Sequence, residues 1–286
     1  MKKQQTSSWG RRVSLGLMIV VLFILLAILS WRSTQPLTTN QSESVPTLYL
    51  HGYGAGAKST DYWINYAKKH DQAQKVLTAV VSPQGKVKLQ GEWGTRVKHP
   101  LVQVVFQDNK NTDYQQTSRW FAKVLQALQQ RYQIKQYNTV THSMGNLTTM
   151  YYQMSPKLKK GLPKLHQQVN VAGHFDGIVG KDDQPNQNHL QQNGEPQQQD
   201  ATYRYLKRNR QQFPKNVSVL NIYGNLDDGT NSDGDVTVVS AKSLGFLVKK
   251  QTHYQELEIK GAKAQHSQLH ENPQVARAID HFLWAK

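Results

Sequence analysis

The sequence predicts an α/β fold: a mostly parallel central sheet with helices on both faces, preceded by an N-terminal transmembrane helix. Three observations carry this. Continuous apolar runs such as Leu101–Phe106 alternate with amphipathic stretches of helical spacing, the pattern of parallel strands buried on both faces. The strand-like run from Tyr137 to Val140 breaks through Thr141-His142-Ser143-Met144-Gly145 into the helix-compatible stretch Leu147–Tyr152. A serine, an aspartate and a histidine then follow in the chain order Ser143, Asp233, His266.

At the front, residues 1–12 are basic, with Lys2, Lys3, Arg11 and Arg12. The apolar run Val13–Leu29 spans roughly 17 positions, near the lower limit for crossing a bilayer, and the preceding charge keeps the N-terminus cytoplasmic. Ala27-Ile28-Leu29-Ser30-Trp31 is a poor small-x-small cleavage site. Residues 13–31 are therefore expected to remain as a signal anchor, with the rest of the chain outside the cytoplasmic membrane; cleavage would instead make the protein secreted. The absence of cysteine excludes a lipidated anchor, a disulfide framework and a thiolate metal site. Residues 32–44, polar with one proline, read as a flexible linker. The remaining stretch, 45–286, is read as one domain, which a chain of 286 residues with 37% hydrophobic composition can support.

Within that domain, Thr47–Leu50 is a buried-strand pattern ending in His51-Gly52-Tyr53-Gly54-Ala55-Gly56. Glycines there let a ligand approach bare backbone. An amphipathic helix follows around Tyr62, Trp63 and Tyr66. Val76–Val81 and Gly85–Leu89 read as two strands about Ser82-Pro83-Gln84-Gly85, a hairpin at the sheet edge. Asp113–Tyr132 is predicted helical, with Trp120, Phe121, Val124, Leu125 and Leu128 at core spacing.

The run from Thr141 to Gly145 has the form of a nucleophile elbow, a strand-to-helix turn that exposes a serine hydroxyl above a sheet. Gly145 meets the need for a small residue, while Thr141 stands where the motif usually has glycine. The N–H groups of Tyr53 and Met144 are the candidate oxyanion donors. Beyond the elbow, Val169–Ala172 reads as a strand, and His174 and Asp176 as loop-end structure. Residues 180–200 are rich in Gln, Asn, Pro and Asp; with few apolar residues, they form a polar surface insertion where a lid would sit. A helix over Thr202–Gln211 and a strand over Val217–Gly224 follow.

The acidic loop after that strand offers several carboxylates. Asp233 is the leading candidate for the triad acid, because Asp-Gly-x-Val-Thr precedes a small-residue helix start at Ser240-Ala241; Asp235 and Asp228 stand in reserve. A calcium loop is disfavoured, since the alternating oxygen ligands and distal Glu of an EF-hand are missing. Near the end, Asn272 and Pro273 are a good helix N-cap and first residue, and Val275, Ile279, Phe282 and Leu283 share one face. His266 lies on the loop before this helix and is the candidate base, with His270 in reserve.

These segments resemble an α/β-hydrolase and, more narrowly, the cell-surface hydrolases of Gram-positive bacteria long filed as a domain of unknown function. The matching pieces are His51-Gly52-Tyr53-Gly54, Val104–Asn109, His142-Ser143-Met144-Gly145, Ser232-Asp233-Gly234 with Ser240-Ala241, and His266–Pro273, so the resemblance runs from about residue 45 to the C-terminus. It implies a Ser-His-Asp hydrolase. The chain departs from it at Thr141 and at Asn146, where a second glycine is common.

The net charge of +16 and pI near 9.8 favour anionic surroundings. Weak contact with anionic lipid or wall polymer is expected, and no nucleic acid, because no helix carries a clustered basic face interleaved with aromatics. The expected function is esterase-like acyl hydrolysis by Ser143, His266 and Asp233 on a small-molecule or lipid-like acyl substrate, with no metal and no cofactor. Two alternatives use the same fold: a catalytically weak or inactive protein that holds anionic surface polymers, and an acyltransferase.

Overall fold

A computed structural model of the chain describes residues 45–284. The anchor expected at 13–31 lies outside the described residues. Among those described, no helix is long and apolar enough to cross a membrane.

The elements run β1 (Thr47–Leu50), α1 (Lys58–His70), β2 (Ala73–Val81), β3 (Val87–Gly91), β4 (His99–Phe106), α2 (Tyr114–Tyr132), β5 (Gln136–His142) and α3 (Met144–Gln153). They continue through α4 (Pro156–Lys159), β6 (Lys164–Val171), α5 (Ala201–Asn209), β7 (Ser218–Asn225), α6 (Val238–Lys242), α7 (Leu244–Val248), β8 (His253–Lys260) and α8 (Pro273–Trp284). The strands form one eight-stranded sheet in the order β3-β2-β4-β1-β5-β6-β7-β8. All neighbours are parallel except the antiparallel β2–β3 pair.

Side chains alternate across the sheet because successive Cβ atoms point to opposite faces. Tyr49 packs under α1 and α8 with Trp63, Ile64, Val275 and Ile279. Its neighbours Leu48 and Leu50 lie on the other side with Trp120, Phe121, Leu147 and Met150 of α2 and α3. The alternation resets once within β6. His166 is an extra residue against β5, where Tyr137 pairs with Leu165 but Asn138 with Gln167. Leu165 accordingly joins the α2 side while Val169 and Val171 join the α1 side.

Local signals explain most boundaries. Asp113 caps α2, its Oδ1 accepting from the N–H groups of Gln115 at 2.9 Å and Gln116 at 3.1 Å. Asn272 caps α8 through Oδ1 to Gln274 N–H at 2.8 Å. Some expectations change. Only β3 of the predicted hairpin is an edge strand; β2 pairs in parallel with β4 inside the sheet. β6 begins at Lys164, five residues before the predicted Val169, its first half hidden by Lys164, His166, Gln167 and Gln168. The expected helix at 202–211 is α5 followed by a 3-10 turn over Arg210–Gln212. Strand β8, with sequence HYQELEIK, gave no apolar alternation to read; it is a charged edge strand. The polar insertion at 180–200 contains no helix and is crossed by isolated bridges, including Leu190 to Pro196.

Parallel strands bring their C-terminal ends to one edge, where α/β sheets place their sites. The loops after β1, β5, β6, β7 and β8 all leave from that edge.

Away from it, Asp280 of α8 is buried, and among the described residues no donor meets either carboxyl oxygen. Burial, then the neighbouring Asp71, push its carboxyl up to about 9 from 3.8. Between those values the folded chain holds a proton that the unfolded chain has released, so this contribution to stability is full below 3.8 and drains away as pH rises to about 9. Asp280→Asn is expected to raise the urea midpoint at about pH 8 and to flatten its pH dependence. A midpoint unchanged at that pH would show that the carboxyl carries no such load.

Candidate active site

β5 ends at His142 and α3 begins at Met144, so Ser143 alone makes the turn. Its backbone sits at φ 49°, ψ −120°. That lies outside the regions open to an L-residue and costs about 1–3 kcal/mol. Neighbours hold it there. Ser143 N–H donates to the Val171 carbonyl at 3.0 Å, and the Ser143 carbonyl accepts from Asn146 N–H at 2.9 Å and from Asn146 Nδ2 at 3.0 Å. Nδ2 also donates to the Val171 carbonyl at 2.9 Å, while Thr141 Oγ1 donates to Asn146 Oδ1 at 2.6 Å. Thr141 and Asn146, the two departures from the expected glycines, thus form one buried pair that ties β5, the turn and β6 together. Gly145 is required by close approach, since a Cβ there would come within 2.7 Å of the His51 carbonyl.

Ser143 Oγ lies 3.0 Å from His266 Nε2, and His266 Nδ1 lies 2.9 Å from Asp233 Oδ2. A carboxylate only accepts, so Nδ1 carries the proton and Nε2 can accept from the serine hydroxyl. Asp233 is 1% exposed, and its other oxygen accepts from the N–H groups of Asp235 at 3.0 Å and Val236 at 2.7 Å. The two loops are also joined by backbone, His266 N–H to the Asp233 carbonyl at 2.9 Å. Gly224 at the end of β7 makes room for both, because a methyl there would overlap the Ala264 carbonyl and press on Asp233. Burial lowers the His266 pKa, but the hydrogen bond and charge of Asp233, with the charge of Asp235, outweigh it and hold the imidazole above 6.5.

The side chains of the reserve candidates stand outside this relay. Asp228 is exposed and bonds Thr230. Asp235 is on the cleft wall and acts on His266 through its charge. His270 packs edge-on against His142 at 3.8 Å between ring centroids, and burial, then the His266 charge, lower it to about 4.

Met144 N–H is the first of α3 and has no intrahelical carbonyl to meet. Tyr53 is 57% exposed in the turn after β1. Tyr53 belongs to the cleft wall around Ser143, and a Cβ on Gly52, next to it, would lie 3.0 Å from Ser143 Cβ. His51 fixes this turn. Its Nδ1–H donates to the Gly52 carbonyl at 2.8 Å and its Nε2 accepts Phe106 N–H at 3.0 Å, which requires the neutral ring.

The cleft at Ser143 has a volume of about 420 Å³, and its walls include Tyr53, His174, Ile178, Val236 and His266. A larger cavity of about 630 Å³ at Asp176, Asp183 and Asn188 touches none of Ser143, His266 and Asp233. Position relative to the serine hydroxyl, not size, selects the smaller one. Two contributors were not singled out in the sequence. His142 Nε2–H donates to the His266 carbonyl at 3.1 Å and so orients that loop. His174, read as loop-end structure, lies on the cleft wall with Nε2 3.1 Å from the Tyr114 hydroxyl. Its place after β6 at the strand-end edge was the available signal. Among the described residues no group of three or more His, Asp or Glu could hold a metal ion.

A mostly parallel eight-stranded sheet with a serine elbow after its fifth strand defines the α/β-hydrolase fold. The chain belongs to the family described as alpha/beta hydrolase of unknown function, DUF915, whose model matches residues 34–286. A Listeria innocua protein superposes with a TM-score of 0.76 at 24% identity, covering 84% of this chain and 94% of that one. A Lactobacillus plantarum WCFS1 protein, provisionally described as a cell surface hydrolase, gives 0.70 at 20% identity over 85% and 92% of the two chains. Aspergillus fumigatus lipase B gives 0.52 at 12% identity over 84% of this chain and 53% of that one. At these identities the likeness is one of fold. No curated protein matches the sequence.

The Thr141–Asn146 pair yields a prediction. Thr141→Ala leaves Asn146 Oδ1 without its donor, and Asn146→Ala leaves the Thr141 hydroxyl only the Val169 carbonyl at 3.4 Å, so each should cost about 1–3 kcal/mol. Because both act on one bond, the double variant should cost less than the two added together. Urea unfolding of the four proteins measures this, and strict additivity would dissolve the pair.

Proposed function

We propose that the chain is a membrane-anchored, extracytoplasmic serine hydrolase that cleaves esters. The observation that carries this is the continuous relay from Ser143 Oγ through His266 to Asp233 Oδ2, with separations of 3.0 and 2.9 Å. His266 takes the proton as Ser143 attacks the ester carbonyl, and Asp233 stabilises the imidazolium. The N–H groups of Tyr53 and Met144 receive the developing oxyanion, each worth roughly 3 kcal/mol in comparable sites. His266 then protonates the leaving alcohol, and water, deprotonated by the same imidazole, releases the acyl group. The anchoring part of the proposal rests on the apolar run at 13–31. The polar insertion at 180–200 lacks the apolar face with which a lipase lid meets an oil surface, which favours soluble esters.

Ser143→Ala should abolish hydrolysis of short p-nitrophenyl esters with an unchanged circular dichroism spectrum, and a fluorophosphonate probe should label only the wild type. Full turnover in that variant would remove Ser143 from the mechanism. Labelling also separates the enzyme from an inactive polymer-binding protein, since only an activated serine reacts quickly.

The rate should fall as pH drops through the His266 pKa, because a protonated Nε2 cannot accept the serine proton. With that pKa raised, the acid limb of kcat/KM is expected above 6.5. Asp233→Asn should cost about 10⁴-fold in kcat and move the limb of the residual activity to lower pH, since burial then prevails. A limb that stays in place would detach Asp233 from His266.

A further inference from the structure

A second cavity of about 330 Å³ adjoins the cleft at Ser143, and the two share His174 and Ile178 in their walls. The lining changes in character there. Tyr151 and Tyr205 stack at 4.3 Å, and Tyr114 tilts against Tyr151 at 5.3 Å. Asp113, Asp182 and Asp200 share the lining with one cation, Lys181, a formal charge of −2 from three carboxylates and one ammonium. This stands in a chain whose net charge is +16. Burial, reinforced by the charge of Asp182, holds the Asp200 carboxyl above its ordinary value. These carboxylates are therefore crowded together on a molecule with cations to spare.

A second sign of a ligand is His174. It is 6% exposed, its Nε2 meets the Tyr114 hydroxyl at 3.1 Å, and its Nδ1 has no hydrogen-bond partner among the described residues. A buried polar atom without a partner is uncommon and costly, and this ring lies on the wall common to both cavities.

We infer that the second cavity binds an alkylammonium group, so that the substrate of Ser143 is an ester bearing a positively charged amine on its acyl or its alcohol side. The substrate part of this inference rests on the hydrolase proposed above; the binding part does not. Tyrosine faces attract cations through the ring quadrupole, and Asp182 and Asp200 supply the counter-charge. A neutral group would use the rings but leave the carboxylates repelling one another, and an anion would add to the repulsion.

Calorimetric titration of the full-length protein with choline, and with its uncharged carbon isostere, tests the cavity without catalysis. Choline should bind about tenfold more tightly than the isostere. The paired variant Asp182→Asn/Asp200→Asn, whose amides can still accept the local backbone N–H groups, should erase that margin. Lys181→Gln, at a lysine in no ion pair among the described residues, should widen it and serves if the pair does not fold. Equal affinity for the two ligands, or a margin unchanged in both variants, overturns the inference. A second arm compares kcat/KM for butyrylcholine and its isosteric neutral ester on protein whose Ser143 takes a fluorophosphonate label. A labelled enzyme with no preference for the charged ester overturns the substrate assignment. An unreactive Ser143 with choline still preferred sinks the hydrolase instead and supports the cavity.

Discussion

Ser143 is held in a backbone conformation that no L-residue adopts freely, and much of the surrounding structure keeps it there. The turn is closed by backbone bonds to β6 and inside α3, and by the Asn146 side chain, which reaches both the turn and Val171. β1 passes so close beneath that position 145 admits only glycine. The strain is local, but its support comes from β1, β5, β6 and α3 together, and β1 and β6 lie far apart in the chain. Such support is available only in a parallel sheet, where successive strands deliver their ends to a common edge.

The same edge sorts the histidines. His51, His142, His174 and His270 all lie close by, and burial lowers the pKa of each. His266 is equally buried but meets Asp233, and there the carboxylate outweighs desolvation. A chain with 11 histidines therefore presents one imidazole whose charged form is favoured in the site. Asp233 can do this because its second oxygen is held by two backbone N–H groups, which fix the carboxylate's orientation toward the imidazole. The neutral rings act as spacers and struts: His51 fixes the turn after β1, and His142 fixes the loop that carries His266.

Much of the architecture was legible beforehand, and the reasons differ by element. Strands β1, β4 and β7 announce themselves as apolar runs because both their faces are covered, and β5 by its β-branched residues before the elbow. Helices α2 and α8 show core spacing and carry recognisable caps in Asp113 and Asn272. Strand β8 was not legible because it is an edge strand whose side chains are largely in water, leaving no apolar alternation. The first half of β6 was hidden for another reason: its bulge at His166 breaks the period and its buried Gln168 pairs with Asn170 instead of packing. The separation of β2 from β3, one inside the sheet and one at its edge, depends on pairing with β4 and leaves no local mark.

For the site, the residue types and their order along the chain pointed to Ser143, Asp233 and His266, because a strand-to-helix break, a strand-end carboxylate and a histidine before a capped helix are each local features. Their separations are not local. Which of the nearby carboxylates meets the imidazole depends on how two loops lie against each other over Gly224. Whether threonine and asparagine disturb the elbow or brace it depends on their meeting across the turn, five positions apart yet joined by one hydrogen bond. The tyrosine and carboxylate cavity beyond His174 draws on α2, α3, α5 and the loop after β6. Composition and spacing describe what each segment offers; only packing decides which offers are brought within a hydrogen bond of one another, since that distance is set by the whole sheet and not by any stretch of it.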